Sequence, residues 1–394
     1  MEGLALLMSL PLVAEPRFVP ATNFMVYVTE ECNLRCSYCF VNKQPRHMTL
    51  ATARKVVDYC LLPQVSGEEA ELSINFFGGE PFLRAEFLLE LLPYIQERGG
   101  DRFMLGATTN GTLAGDSVQR LVEEGQVHLL ISLDGDAESH RFRPKVSGGS
   151  SWSHVQRNLR KLVALAPSTS FRMTFHPESL NLTEKVEAAL EMGATWIVLS
   201  PVVEADWSGR EQTLWDEFEK LGDWFVRQFQ AGQVPPLHHF WNWLLDYYGQ
   251  VHGLEQRPAK ACTLGTQVLA FDTAGNVLPC HRYLYRKHER LGNVLRDKSL
   301  PPARDRYVHL SRAEIPDCAQ CVARAVCGGG CRVVALEAGY GLNGVHPNHC
   351  LLMQTQMHQV VSIYSRLRDH PRFLPTLAAH QQMPLMFQEA QPID

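Results

Sequence analysis

Several features that would place this chain quickly are missing. No run of apolar residues reaches the roughly 20 that a membrane-spanning helix needs. The N-terminal stretch Leu4-Ala5-Leu6-Leu7-Met8-Ser9-Leu10-Pro11-Leu12 is too short. It also lacks the positive flank of a secretory signal, because Glu2 is the only charge before Glu15. It reads as a lead-in strand or tail. An excess of one charge is missing too: 37 Lys and Arg stand against 42 Asp and Glu, a net charge of −5, with a pI near 6.3. That balance gives no basic surface for nucleic acid. With no signal and no span, the expectation is a cytoplasmic protein without nucleic-acid or membrane partners. The 11 cysteines then argue for metal binding rather than a disulfide framework.

What is present is ordinary globular material, 45% hydrophobic and 20% charged over 394 residues. The cysteines are grouped: three at 32–39, one at 60 and seven between 262 and 350. Cys60, amid Val56, Val57, Leu61 and Leu62, is a core residue by its surroundings. The first group is Cys32-x3-Cys36-x2-Cys39, with Tyr38 just before the last thiol. Three ligands are one short of a closed zinc site. They suit a [4Fe-4S] cluster whose fourth iron takes an outside ligand.

Short apolar runs at 24–28, 72–77, 104–109, 128–133, 171–175 and 196–200 read as strands. Amphipathic patterns at 50–62, 84–98, 114–124, 151–165, 182–192 and 211–230 read as helices, with Thr49, Asp116 and Thr183 as candidate N-caps. A strand–helix unit repeated six times predicts a parallel α/β sheet. Chemistry in such sheets gathers at the C-terminal strand ends. The loops there are Gly78-Gly79-Glu80-Pro81, then Thr108-Thr109-Asn110-Gly111, then Ser132-Leu133-Asp134, with Arg141 and Arg143 downstream, and lastly His176-Pro177. Gly-Gly frees backbone groups for a close approach. Ser132 and Asp134 share a face by strand alternation. His176 reads as a loop histidine or as a neighbour of a bound ring.

Pro235-Pro236 breaks the chain, and His239–Tyr248 reads as an aromatic helix, either core or the wall of a peptide groove. Then come Cys262-x12-Gly275-x4-Cys280, Cys318-x2-Cys321-x5-Cys327-x3-Cys331 and Cys350. Residues 268–272 and 276–278 form a hairpin pattern around Thr273-Ala274-Gly275. Taken alone, Cys318 and Cys321 also fit a zinc ribbon.

From about residue 22 to 370 these motifs resemble the radical S-adenosylmethionine (SAM) enzymes that carry a C-terminal SPASM domain. The resemblance implies a partial (β/α)6 barrel over 22–232, after a lead-in at 1–21. A helical linker at 233–261, a small Cys-rich SPASM domain with two auxiliary clusters at 262–370 and a tail at 371–394 follow. It implies three [4Fe-4S] clusters in all. The first, on Cys32, Cys36 and Cys39, would bind SAM and release a 5'-deoxyadenosyl radical. Tyr38, Gly78, Gly79, Glu80, Pro81, Thr109, Asn110, Ser132, Asp134 and Arg143 would bind SAM. Cys318, Cys321, Cys327 and Cys350 would hold auxiliary cluster II, and Cys262, Cys280 and Cys331 auxiliary cluster I. Residues 263–279 contain no eighth cysteine, so the fourth ligand of that cluster is open.

The position after Cys280 carries an Asp, thought to be the catalytic base, in anaerobic sulfatase maturases. Here it is His281, a proton acceptor or a donor to cluster sulfur. Pro279-Cys280-His281-Arg282 with Tyr283 resembles peptide cross-linking maturases. The implied function is cross-linking of a ribosomal peptide or protein through a thioether, C–C or ether bond. Formylglycine formation, epimerisation, a small-molecule reaction and a non-catalytic electron carrier are the alternatives. The implied partners are the substrate and a flavodoxin- or ferredoxin-type electron donor. Residues 1–21 leave no room for a leader-binding domain, so a separate leader-binding protein is a further candidate partner.

Overall fold

The computed structural model describes residues 20–253, 262, 264–299, 304–308, 318, 321, 323 and 326–381. The lead-in run at 4–12 lies outside them. Six strands appear where the apolar runs predict them: β1 Asn23–Thr29, β2 Leu72–Gly78, β3 Phe103–Thr109, β4 His128–Ser132, β5 Ser170–Phe175 and β6 Trp196–Pro201. Each pairs in parallel with the next, giving the order β6-β5-β4-β3-β2-β1. A sheet wound in one direction keeps its crossover helices on one face. Accordingly Leu50–Cys60 packs on Ala85–Gly99, which packs on Asp116–Gly125, which packs on Trp152–Leu165.

Local chemistry explains most helix starts. Thr49 caps Leu50–Cys60, its hydroxyl accepting the Thr52 N–H at 3.1 Å. The other two expected caps are corrected. Gly115 and Asn181 occupy the cap positions, and Asp116 and Thr183 lie inside the first turn. Asp116 still favours that end through the helix dipole.

The hairpin forms as β7 Val268–Phe271 and β8 Asn276–Leu278, antiparallel, followed by β9 Gly292–Asn293. β7 then pairs in parallel with β1, Asn23 opposite Val268 through Val26 opposite Phe271. The Cys-rich region thus extends the same sheet to nine strands. The aromatic helix His238–Val251 is core: Trp241 lies against Phe225 and Phe373, and Tyr247 against Tyr364. It joins Glu211–Gln230 to the C-terminal helices Pro347–Leu367 and Phe373–Gln381. Cys60 is fully buried in that continuous core, and burial pushes its thiol pKa well up. Among the described residues no helix is long and apolar enough to cross a membrane.

Candidate active site

The loop after β1 carries the three thiols, and three contacts fix it. First, the Gly78-Gly79 turn lies directly beneath it. A Cβ on Gly78 would fall 2.0 Å from the Thr29 carbonyl oxygen, and one on Gly79 2.2 Å from that of Glu31. The Gly79 N–H donates to Thr29 and the Glu80 N–H to Glu31. The glycines therefore answer to the chain itself as well as to any ligand. Second, the segment after His140 runs along the loop: the Arg35 N–H donates to the Pro144 carbonyl and the Ser37 N–H to Phe142. Third, Tyr285 donates to Glu30 at 2.9 Å and accepts the Asn42 N–H, tying the loop to the Cys-rich region.

One cavity at the C-terminal ends of the strands is lined by Cys32, Cys36 and Cys39. Tyr38, Gly78, Gly79, Thr109, Asn110, Ser132, Arg143 and His281 line it too. Glu80, Pro81 and Asp134 stand behind that lining. Glu80 is fully buried. Its carboxylate accepts the Phe82 N–H, the Thr109 hydroxyl and the Asn110 N–H at 2.7–3.0 Å. Burial pushes its pKa up to about 7, and the three donors oppose the rise. Asp134 is equally buried. It accepts from Tyr38 at 2.6 Å, from the Thr174 N–H at 3.2 Å and from Arg143 at 3.3 Å. Glu80 and Asp134 thus hold the loops around the cavity together from inside. Arg141 is a solvated charge paired with Glu138 and Glu178, whereas Arg143 is buried on the cavity wall.

Burial pushes the Cys32 thiol up to about 12 and Cys36 to about 11, with Arg143 opposing the second. Such thiols ionise only when metal supplies the charge. The three thiols share the cavity and sense one another. Yet no three His, Cys, Asp or Glu side chains among the described residues converge on one metal ion. A wider set of soft donors fits a cluster several atoms across. Asn110 adds an N–H directed at the Cys32 sulfur at 3.7 Å and holds Asn33 at 2.8 Å.

His281 is buried between Phe40 and Phe77, 5.6 and 5.3 Å between ring centres, and its carbonyl accepts from Tyr27. Beside it Arg282 lies over Phe40 and pairs with Glu204. Cys262, Cys280 and Cys331 are near enough for the other two to raise the Cys280 pKa, after burial. Cys327 accepts the Gly329 N–H at 3.3 Å, and Cys350 sits in the first turn of Pro347–Leu367. Thr174 lines the cavity as well, and so do Arg172 and Ser200, which sequence reasoning missed. The polar alternation Arg172-x-Thr174 within a buried strand was the signal for Arg172. A second depression, at the N-terminal ends of β3 and β4, carries no thiol.

A singly wound parallel sheet thus carries a three-thiol loop above its first strand and a Cys-rich extension beside it. Residues 26–190 match the model of the Radical SAM superfamily, so the chain carries a radical SAM domain. The serine-type anaerobic sulfatase-maturating enzyme of Klebsiella aerogenes is 26% identical over 354 residues, 84% of each chain. The cysteine-type enzyme of Clostridium perfringens is 23% identical over 76% of this chain and 86% of its own. Among solved structures, native anSMEcpe with bound AdoMet and Cp18Cys peptide superposes with a TM-score of 0.73. It is 20% identical over 91% of this chain and 99% of its own. Streptococcus suis SuiB bound to precursor peptide SuiA gives 0.60 at 15% identity, covering 88% and 85%. At these identities the superpositions establish the fold.

Proposed function

We propose that this chain is a radical SAM peptide maturase that removes a hydrogen atom from a bound peptide or protein and closes a cross-link within it. The observation that carries this reading is the shared cavity, where the three thiols, the buried Arg143 and His281 line one space. When bound, the cluster on Cys32, Cys36 and Cys39 and SAM supply one-electron reduction and hydrogen-atom abstraction, and two auxiliary clusters supply an outlet for the electron left behind. Arg143 is the cation for the SAM carboxylate, oriented by Asp134 behind it. Tyr38, Asn110 and Ser132 shape the rest of that subsite. Phe40 and Phe77 exclude water from the reacting carbon. His281 takes the proton released as the new bond forms.

Formylglycine formation is the second reading. It is favoured by the sulfatase-maturating relatives, which align over most of both chains. The two readings separate in one anaerobic assay with SAM, a reductant, and either a candidate precursor peptide taken from the neighbouring genes or a sulfatase-type peptide. Loss of two hydrogens from the precursor without aldehyde reactivity supports the cross-link. A product trapped by hydroxylamine establishes formylglycine. An unchanged mass with deuterium uptake from solvent means epimerisation and overturns both.

A further inference from the structure

Arg332 directly follows Cys331 and opens the helix Arg332–Glu337. It is 1% exposed, and its Nε, Nη1 and Nη2 are all buried without a hydrogen-bond partner among the described residues. A guanidinium is always charged. An uncompensated charge in a protein interior is strongly unfavourable, so such a group stays only where an anion meets it.

The neighbours say which anion. His349 lies close enough to feel the Arg332 charge. Its ring packs on Gly330 so tightly that a Cβ there would come within 2.6 Å. His349 Nε2 stands 3.5 Å from the Cys327 sulfur, and its Nδ1 has no partner among the described residues. Cys350 is the next residue. Arg332 thus follows Cys331, and His349, next to Cys350, links it to the Cys327 sulfur.

We propose that Arg332 is the buried counter-charge of the auxiliary cluster held through Cys327 and Cys350, and that it raises that cluster's reduction potential. His349 rests on the Cys327 sulfur of the same cluster. A [4Fe-4S] cluster with four thiolates is a dianion when oxidised and gains a further negative charge on reduction. An adjacent fixed cation therefore favours the reduced form. This inference rests on the reading that Cys318, Cys321, Cys327 and Cys350 hold such a cluster.

The test uses the full chain, reconstituted anaerobically, with iron content and a potentiometric titration followed by electron paramagnetic resonance. Arg332→Met should keep its iron. At the wild-type midpoint its reduced-to-oxidised ratio for that cluster should fall at least tenfold, a shift of about 59 mV. Arg332→Lys should stay near the wild-type potential. Loss of one cluster's iron in the Met variant but not in the Lys variant would also support the proposal, since the charge would then be what holds the cluster. An Arg332→Met protein with full iron and an unchanged midpoint overturns it, as does equal iron loss in both variants. If Cys327→Ala with Cys350→Ala leaves the wild-type iron content intact, the cluster reading itself fails and takes the proposal with it.

Discussion

Asp134 and Arg143 form a pair in which each side chain is 1% exposed. Replacing Asp134 by Ala removes the acceptor at 3.3 Å from Arg143, at 2.6 Å from Tyr38 and at 3.2 Å from the Thr174 N–H. The guanidinium is then left charged in the interior. Breaking a buried pair from one side costs about 3–5 kcal/mol, a large share of the roughly 5–15 kcal/mol that holds a domain together. Arg143→Met leaves the opposite charge stranded and should cost a similar amount. Removing both leaves only the Tyr38 hydroxyl and the Thr174 N–H short of a partner, about 1–3 kcal/mol each. The double variant should therefore lie well above the sum of the singles, with a coupling of at least about 2 kcal/mol. Urea unfolding of the four reconstituted proteins, followed by tryptophan fluorescence at matched slopes, reads this directly. Additivity within about 0.5 kcal/mol would refute the pair as the clamp on the Tyr38 loop. So would an Asp134→Ala protein as stable as the wild type.

Gly79→Ala places a methyl group against the Glu30 and Glu31 backbone. It should lower stability by about 1–3 kcal/mol and reduce iron loading of the first cluster; full loading with unchanged melting would contradict the tight turn. His281→Gln should keep SAM cleavage and all iron while losing peptide product, because His281 lines the cavity as the proposed proton acceptor. Equal loss of both activities would make it structural. If the open fourth position on the cluster of Cys262, Cys280 and Cys331 takes a substrate cysteine, a variant holding only that cluster should change its paramagnetic resonance signal with the peptide. That change should vanish with the Cys→Ser peptide, and an unchanged signal at saturation leaves an electron relay only.

The six strand–helix units are legible in the sequence because buried parallel strands read as continuous apolar runs. Val26-Tyr27-Val28 and Leu129-Leu130-Ile131 need no partner to be recognised. The thiol spacing and Gly275 are local as well. What stays hidden depends on non-local neighbours. That Val268 pairs beside Asn23 requires knowing which sheet edge is free. Nothing in Gly-Gly-Glu-Pro tells that the Glu80 carboxylate turns inward to the β3 turn. Arg141 and Arg143 have the same local chemistry, and only the backbone bonds that lay this segment along the cysteine loop separate them. The isolation of Arg332 appears only once the turn at Gly329-Gly330 and the His349 ring are in place.

The most direct test of the central claim is SAM cleavage itself. Wild-type protein, reconstituted anaerobically and reduced with dithionite, should bind about 12 iron atoms and release 5'-deoxyadenosine. Replacing Cys32, Cys36 and Cys39 together by Ala should remove about four of them and abolish 5'-deoxyadenosine formation, leaving the auxiliary signals in place. Undiminished 5'-deoxyadenosine from that triple variant would contradict the assignment of the site.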